Sequence, residues 1–267
     1  MNDAAIGVFD SGIGGLTVVA AILRELPNER VVYVGDTARV PYGPKSPDTV
    51  LRYSRQIAAF LLEQHVKAIV IACNTATAHA LDTLQREVGV PVIGVVTPGA
   101  RAAVRSTTTG RIGVIGTTGT INSGAYHRAI ASLAPDAVVT GIACPLFVPV
   151  IEEGWVEHPA TRLIAESYLA GMRTHGVDTL VLGCTHYPLL SPLIASVMGS
   201  GVTLVDSAAE TALALRDVLA DCSLARSEAA AGLAHRFIAT DAPDAFSRVG
   251  QRFIGPALHD VETTIFA

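Results

Sequence analysis

Short apolar runs alternate with amphipathic stretches along most of this chain. Ile6-Gly7-Val8-Phe9 is one such run, and Gly12-Ile13-Gly14-Gly15 follows it as a tight turn. Beyond the turn, apolar positions recur at helical spacing, which predicts a helix from Leu16 to about Leu26. Val31-Val32-Tyr33-Val34 is the next strand, closed by Gly35-Asp36-Thr37. Pro41-Tyr42-Gly43-Pro44-Lys45-Ser46-Pro47 is dense in turn residues and predicts an irregular, proline-stiffened loop. Ser46 and Pro47 then suit the N-cap and first position of a long helix. Strands that read as unbroken apolar runs are covered on both faces. With helices between them they predict an α/β fold built on a mainly parallel sheet.

The pattern occurs twice. Ile6-Gly7-Val8-Phe9-Asp10-Ser11-Gly12 is matched by Ile112-Gly113-Val114-Ile115-Gly116-Thr117-Thr118, and Val31–Val34 by Ala137-Val138-Val139-Thr140. Ala68-Ile69-Val70-Ile71-Ala72 ends at Cys73, and Thr179-Leu180-Val181-Leu182-Gly183 ends at Cys184. Val90–Thr97 and Val202–Ser207 close the two copies. The expectation is two similar lobes related by duplication, with the active site between them. The strand-like His235–Ala239 and the final helix stand outside the repeat and are expected to return to the first lobe. The predicted division is therefore 1–97 plus 208–267 for the first lobe and 98–207 for the second.

Composition narrows the function. Half the residues are hydrophobic, enough for a sizeable core, and the net charge is −5 with only two lysines. Neither a basic run nor a basic/aromatic alternation occurs, which argues against direct nucleic-acid binding. No apolar run is long enough to span a bilayer, and no secretory signal pattern opens the chain, so a cytoplasmic protein with reduced thiols is expected. The four cysteines lack C-x-x-C spacing, which leaves redox shuttling and a structural zinc site with little support.

Cys73 and Cys184 are the strongest chemical candidates. In an open α/β sheet, ligands bind beyond the carboxyl ends of the strands. A thiol there in each half suggests two acid/base groups facing one substrate from opposite sides. A helix N-terminus just beyond each is expected to lower the thiol pKa from about 8.5 toward neutrality. Cys144 and Cys222 read as inert small hydrophobes. Asp10 is either an N-cap or an assistant to Cys73, and His186, two residues after Cys184, is read as that thiol's partner. Glu152 reads on its own as a solvated helix residue. The Gly12–Gly15 turn lacks G-x-G-x-x-G spacing, so it is expected to bare amides to a small anion rather than hold a dinucleotide. Neither Lys45 nor Lys67 is placed for a Schiff base, so cofactor-free proton abstraction is the expected chemistry.

The words Phe9-Asp10-Ser11-Gly12-Ile13-Gly14-Gly15, Gly35-Asp36-Thr37-Ala38-Arg39-Val40-Pro41-Tyr42-Gly43, Ala72-Cys73-Asn74-Thr75-Ala76 and Leu182-Gly183-Cys184-Thr185-His186-Tyr187-Pro188-Leu189 resemble those of the bacterial glutamate racemases. The resemblance runs through essentially the whole chain. It implies interconversion of L- and D-glutamate without a cofactor or metal, supplying D-glutamate for peptidoglycan, by an enzyme expected to be a homodimer. It further implies that Cys73 and Cys184 exchange the α-proton, that Asp10 assists the first, and that His186 and Glu152 assist the second. Substrate contact is implied for Asp10, Ser11, Pro41, Tyr42, Gly43, Asn74, Thr75, Thr117, Thr120, Thr185 and His186. A racemase for aspartate or another amino acid of the same superfamily is the alternative within enzymes. A non-catalytic two-lobe binding module is the alternative outside them.

Overall fold

The protein is described here by a computed structural model that covers residues 3–227 and 234–266. The first half runs β1 (Ile6–Asp10), α1 (Leu16–Glu25), β2 (Val31–Gly35), α2 (Pro47–Glu63), β3 (Ala68–Ile71), α3 (Asn74–Glu87) and β4 (Val92–Gly94). The second runs α4 (Val96–Ser106), β5 (Arg111–Gly116), α5 (Thr118–Asn122), α6 (Ala125–Leu133), β6 (Val138–Ala143), α7 (Phe147–Glu152), α8 (Pro159–Thr174), β7 (Thr179–Gly183), α9 (Ser191–Met198) and β8 (Thr203–Asp206). The tail adds α10 (Ser207–Asp221), β9 (Arg236–Ala239), α11 (Pro243–Ile254) and β10 (Val261–Thr263).

The described strands form two sheets, ordered β10-β9-β2-β1-β3-β4 and β6-β5-β7-β8. Within the first, β2-β1-β3-β4 repeats the order of the second strand for strand. Every pairing is parallel. The α/β architecture of two parallel sheets flanked by helices is thus the one the apolar pattern predicts. β9 pairs with β2, and β10 with β9, so the tail widens the first sheet.

Local chemistry explains the elements. Ser46 caps α2 by accepting the amide of Thr49, Pro47 fills the first position and Asp48 stands in the first turn. The interior strands β1, β3 and β7 are buried along their whole length, as strands covered on both faces must be. One core layer joins β1 and β2 to α1 and to the buried face of α10 through Val18, Ile22, Ala212 and Leu215. The opposite layer, with Ile57, Leu61 and Leu84, fills under α2 and α3. The second sheet is likewise covered on two sides, by Leu169, Met172 and Ile194 on one and by Ala100, Ala103 and Ile130 on the other.

Candidate active site

The central strands β1, β3, β5 and β7 end at a cavity of about 370 Å³ between the sheets. Both cysteines line it, each just past the end of its strand. Cys73 caps α3: its sulfur accepts the Ala76 amide at 3.4 Å, and its thiol donates to Ser11 Oγ at 3.6 Å. Cys184 is followed by a 3-10 turn, Tyr187–Leu190, rather than directly by an α-helix. Its sulfur lies 3.9 Å from Nδ1 of His186, whose Nε2 is 2.8 Å from Oε1 of Glu152.

Electrostatics divide the two. Burial pushes the Cys73 thiol up to about 12, and the nearby Asp10 charge adds to this against the Ala76 amide and Ser11 hydroxyl. The expected lowering of this thiol is therefore reversed, because a cysteine 6% exposed loses more hydration than one capped helix terminus returns. At His186, burial disfavours the cation. The hydrogen bonds and charges of Cys184 and Glu152 outweigh it and hold the imidazole up at about 10, so it carries a proton at neutral pH. Glu152 ends α7 with its side chain 39% exposed, and its carboxylate faces this imidazole rather than bulk water alone. Its backbone oxygen also accepts Nη1 of Arg252 at 3.1 Å.

Asp10 does not line the cavity. It is buried beneath it, accepting the Gly12 amide at 2.9 Å and the Thr185 hydroxyl at 3.5 Å. Burial raises its carboxyl above the usual range, opposed by His186 and the Gly12 and Gly15 amides. The Gly12 amide is therefore taken internally by Asp10. A β-carbon on Gly14 would sit 2.3 Å from Thr185 Oγ1 and 2.4 Å from His186 Nδ1. The turn is where the first lobe's backbone meets the second lobe's Cys184–His186 segment.

Ser11, Pro41, Tyr42 and Gly43 line one side of the cavity, and Asn74 and Thr75 stand beside Cys73. Thr117, Thr185 and His186 approach from the second sheet. Thr120 is set behind the wall, 1% exposed, in a hydroxyl cluster with Thr75 at 3.1 Å and Thr117 at 3.0 Å. Tyr42 is anchored from below, its hydroxyl donating to the fully buried Asp36, which also receives Arg39 and Thr240. Cys144 is buried off the cavity with its thiol on the Ile142 carbonyl, and Cys222 is exposed at the end of α10. Lys67 is paired with Glu29 at 2.6 Å.

Residues missed from sequence form the apolar wall: Val40 and Pro44 after β2, and Pro145, Val148 and Pro149 after β6. A signal existed, because both proline-rich segments follow equivalent strands of the repeat. Among the described residues no group of three or more His, Cys, Asp or Glu could hold a metal ion.

Two parallel sheets of matching order, meeting at a cavity with a cysteine from each, are the arrangement of a two-lobe α/β racemase. Residues 6–215 match the family described as Asp/Glu/Hydantoin racemase, and the chain belongs to that family. It is 54% identical over 257 residues to a glutamate racemase from Geobacter metallireducens, covering 96% of this chain and 95% of that protein. A crystal structure of a glutamate racemase isoform from Bacillus anthracis has a TM-score of 0.94 at 38% identity, over 100% of this chain and 98% of that one. A Francisella tularensis glutamate racemase solved in complex with D-glutamate gives 0.92 at 39%, over 99% and 98%.

Proposed function

We propose that this chain interconverts L- and D-glutamate by a two-thiol mechanism without a cofactor, and so supplies D-glutamate for peptidoglycan. The observation that carries this reading is the pair of cysteines at equivalent strand ends, facing one cavity from opposite sheets. The glutamate racemases among its relatives support the choice of glutamate over aspartate.

In the proposed reaction a thiolate at one cysteine takes the Cα proton and leaves a carbanion. The thiol of the other cysteine delivers its proton to the opposite face. The product is the other enantiomer, and the two sulfurs have exchanged protonation states. Protonated His186, steadied by Glu152, is the proton reservoir for Cys184. Asp10 lies one layer under the cavity and assists Cys73 through the Ser11-Gly12 turn rather than by contact with substrate. Ser11, Asn74, Thr75, Thr117 and Thr185 offer neutral donors to the carboxylates. Pro41, Tyr42 and Gly43 shape the wall, and Thr120 holds the hydroxyls of Thr75 and Thr117 in place. The apolar wall excludes water, which strengthens every charge interaction at the reacting carbon.

For the chain as a whole we expect a lobe division at 1–97 plus 208–267 and 98–207, a homodimer, and a cytoplasmic location. Among the described residues no helix is long and apolar enough to cross a membrane.

Purified protein in heavy water, with no added cofactor, is expected to incorporate deuterium at Cα of both glutamate enantiomers and to bring optical rotation to zero. Aspartate should exchange far more slowly. Faster turnover of aspartate would move the reading to that substrate. Binding of glutamate with no exchange would reduce the protein to a binding module.

A further inference from the structure

The tail outside the repeat reaches the acid/base machinery. α11 is lodged on the first sheet's side: Phe246 lies in the core layer with α1 and β2, and a β-carbon on Gly250 would sit 2.5 Å from Leu258 and 2.9 Å from Leu16. Its last turn also touches the second half. Phe253 packs against that same layer and against the layer of the second sheet that contains Ile151, Leu180 and Cys184. One side chain of the tail is thus held between the cores of both sheets.

Two consecutive residues of this turn meet the Cys184 arm. The rings of Phe253 and His186 stand edge to face, with centroids 5.5 Å apart and planes at 87°. Arg252 donates to the Glu152 backbone oxygen at 3.1 Å, and a β-carbon on Gly154 would lie 2.8 Å from its Nη1. Phe253 is not part of the cavity lining. Cys73 takes its hydrogen bonds from Ser11 and Ala76, neither of them on α11.

His186 commits both ring nitrogens, Nε2 with Glu152 at 2.8 Å and Nδ1 with the Cys184 sulfur at 3.9 Å. Two contacts in the plane of a ring do not fix its tilt out of that plane. An edge-to-face aromatic contact has a preferred geometry and opposes the tilt. Tilting turns Nδ1 away from the sulfur, and at 3.9 Å that contact has little to spare. Plain core filling would serve both halves alike, whereas this ring lies against one imidazole. Resting on the racemase reading above, we infer that Phe253 is a positioning residue: from the tail helix α11 it holds the His186 imidazole in line with Cys184, and so governs proton transfer on that face alone.

Phe253→Leu tests this, because it removes the ring and keeps an apolar side chain. The enantiomer whose proton Cys184 takes is first assigned with Cys184→Ala. Single-turnover Cα-deuterium exchange from that enantiomer should fall about 10- to 100-fold in Phe253→Leu, the scale of a displaced catalytic group. Exchange from the other enantiomer, and KM for glutamate, should each change less than about 2-fold, since no contact with substrate is lost. Added to His186→Asn, Phe253→Leu should cost nothing further. Melting temperature is recorded, and exchange is compared where the variant is folded. Phe253→Met, closer in volume, is held to the same outcomes should Phe253→Leu not fold. Equal losses from both enantiomers would reduce Phe253 to core packing and overturn the inference, as would unchanged exchange, a rise in KM alone, or independent losses in the double variant. Absence of Cα exchange in the wild-type protein would instead defeat the reading of the enzyme itself.

Discussion

Cys73 and Cys184 stand at equivalent strand ends, but their neighbours differ in kind. Cys73 has a hydroxyl and a backbone amide within reach, with a buried carboxylate below. Cys184 has an imidazole, itself tied to a carboxylate. The strand ends show where the difference lies. Asp10 ends β1, and the matching strand β5 ends in Gly116, so the second copy has no acid at that place. The second thiol instead draws its carboxylate from α7, an element that follows β6. The two halves share the backbone positions of their thiols and differ in the polar groups around each.

Replacing the thiols should break the comparison most completely. Cys73→Ala and Cys184→Ala are each expected to abolish racemisation, by at least about 1,000-fold, since each face loses its only proton carrier. With a substrate analogue bearing a β-leaving group, each variant should still eliminate from one enantiomer alone. Near-wild-type racemisation by either variant would end the two-thiol account.

His186→Asn should then separate the arms. Loss of one acid/base assistant costs about 100- to 10,000-fold. The loss should fall on the proton abstraction assigned to Cys184, read as single-turnover Cα-deuterium exchange from each enantiomer. Equal losses from both would place His186 in substrate binding instead.

A smaller effect lies in stability against pH. The folded-state pKa of His186 is about 10, above its ordinary 6.5. The native state therefore holds a proton that the unfolded chain has released, and this stabilisation is complete below pH 6.5 and lost as pH rises toward 10. The melting temperature of the wild type should fall over that interval by more than that of His186→Asn. Parallel curves would remove the imidazolium from the Cys184 arm.

Much of this was legible beforehand, for identifiable reasons. The strands announced themselves because both faces are covered, leaving runs such as Ala68–Ala72 without a polar interruption. Both cysteines stood out because the duplication placed them in register. The resting protonation of Cys73 was misread because a capping helix can be seen in a sequence, whereas the depth of burial depends on how two lobes close. The close packing at the Gly12–Gly15 turn was not legible for a related reason: Gly14 answers to Thr185 and His186 of the second half, a contact as distant in sequence as the Asp10–Thr185 separation of 175. Glu152 looked solvated because its partner belongs to another strand end. Phe253 carried no signal, since its contact with His186 exists only in the folded chain.

The placement of β9 bears on how the chain is made. The sheet that starts first is completed last, because Thr240, which ties β9 to Asp36, is synthesised 204 residues after it. During translation the second sheet can close entirely while β2 still presents an open edge, the part of a sheet most prone to pairing with a foreign strand. The loop bearing Tyr42 hangs from the same Asp36, so one of the contacts that fix the footing of the cavity wall forms only when the C-terminal segment leaves the ribosome. A nascent or truncated chain ending before β9 would carry both cysteines and lack that anchor.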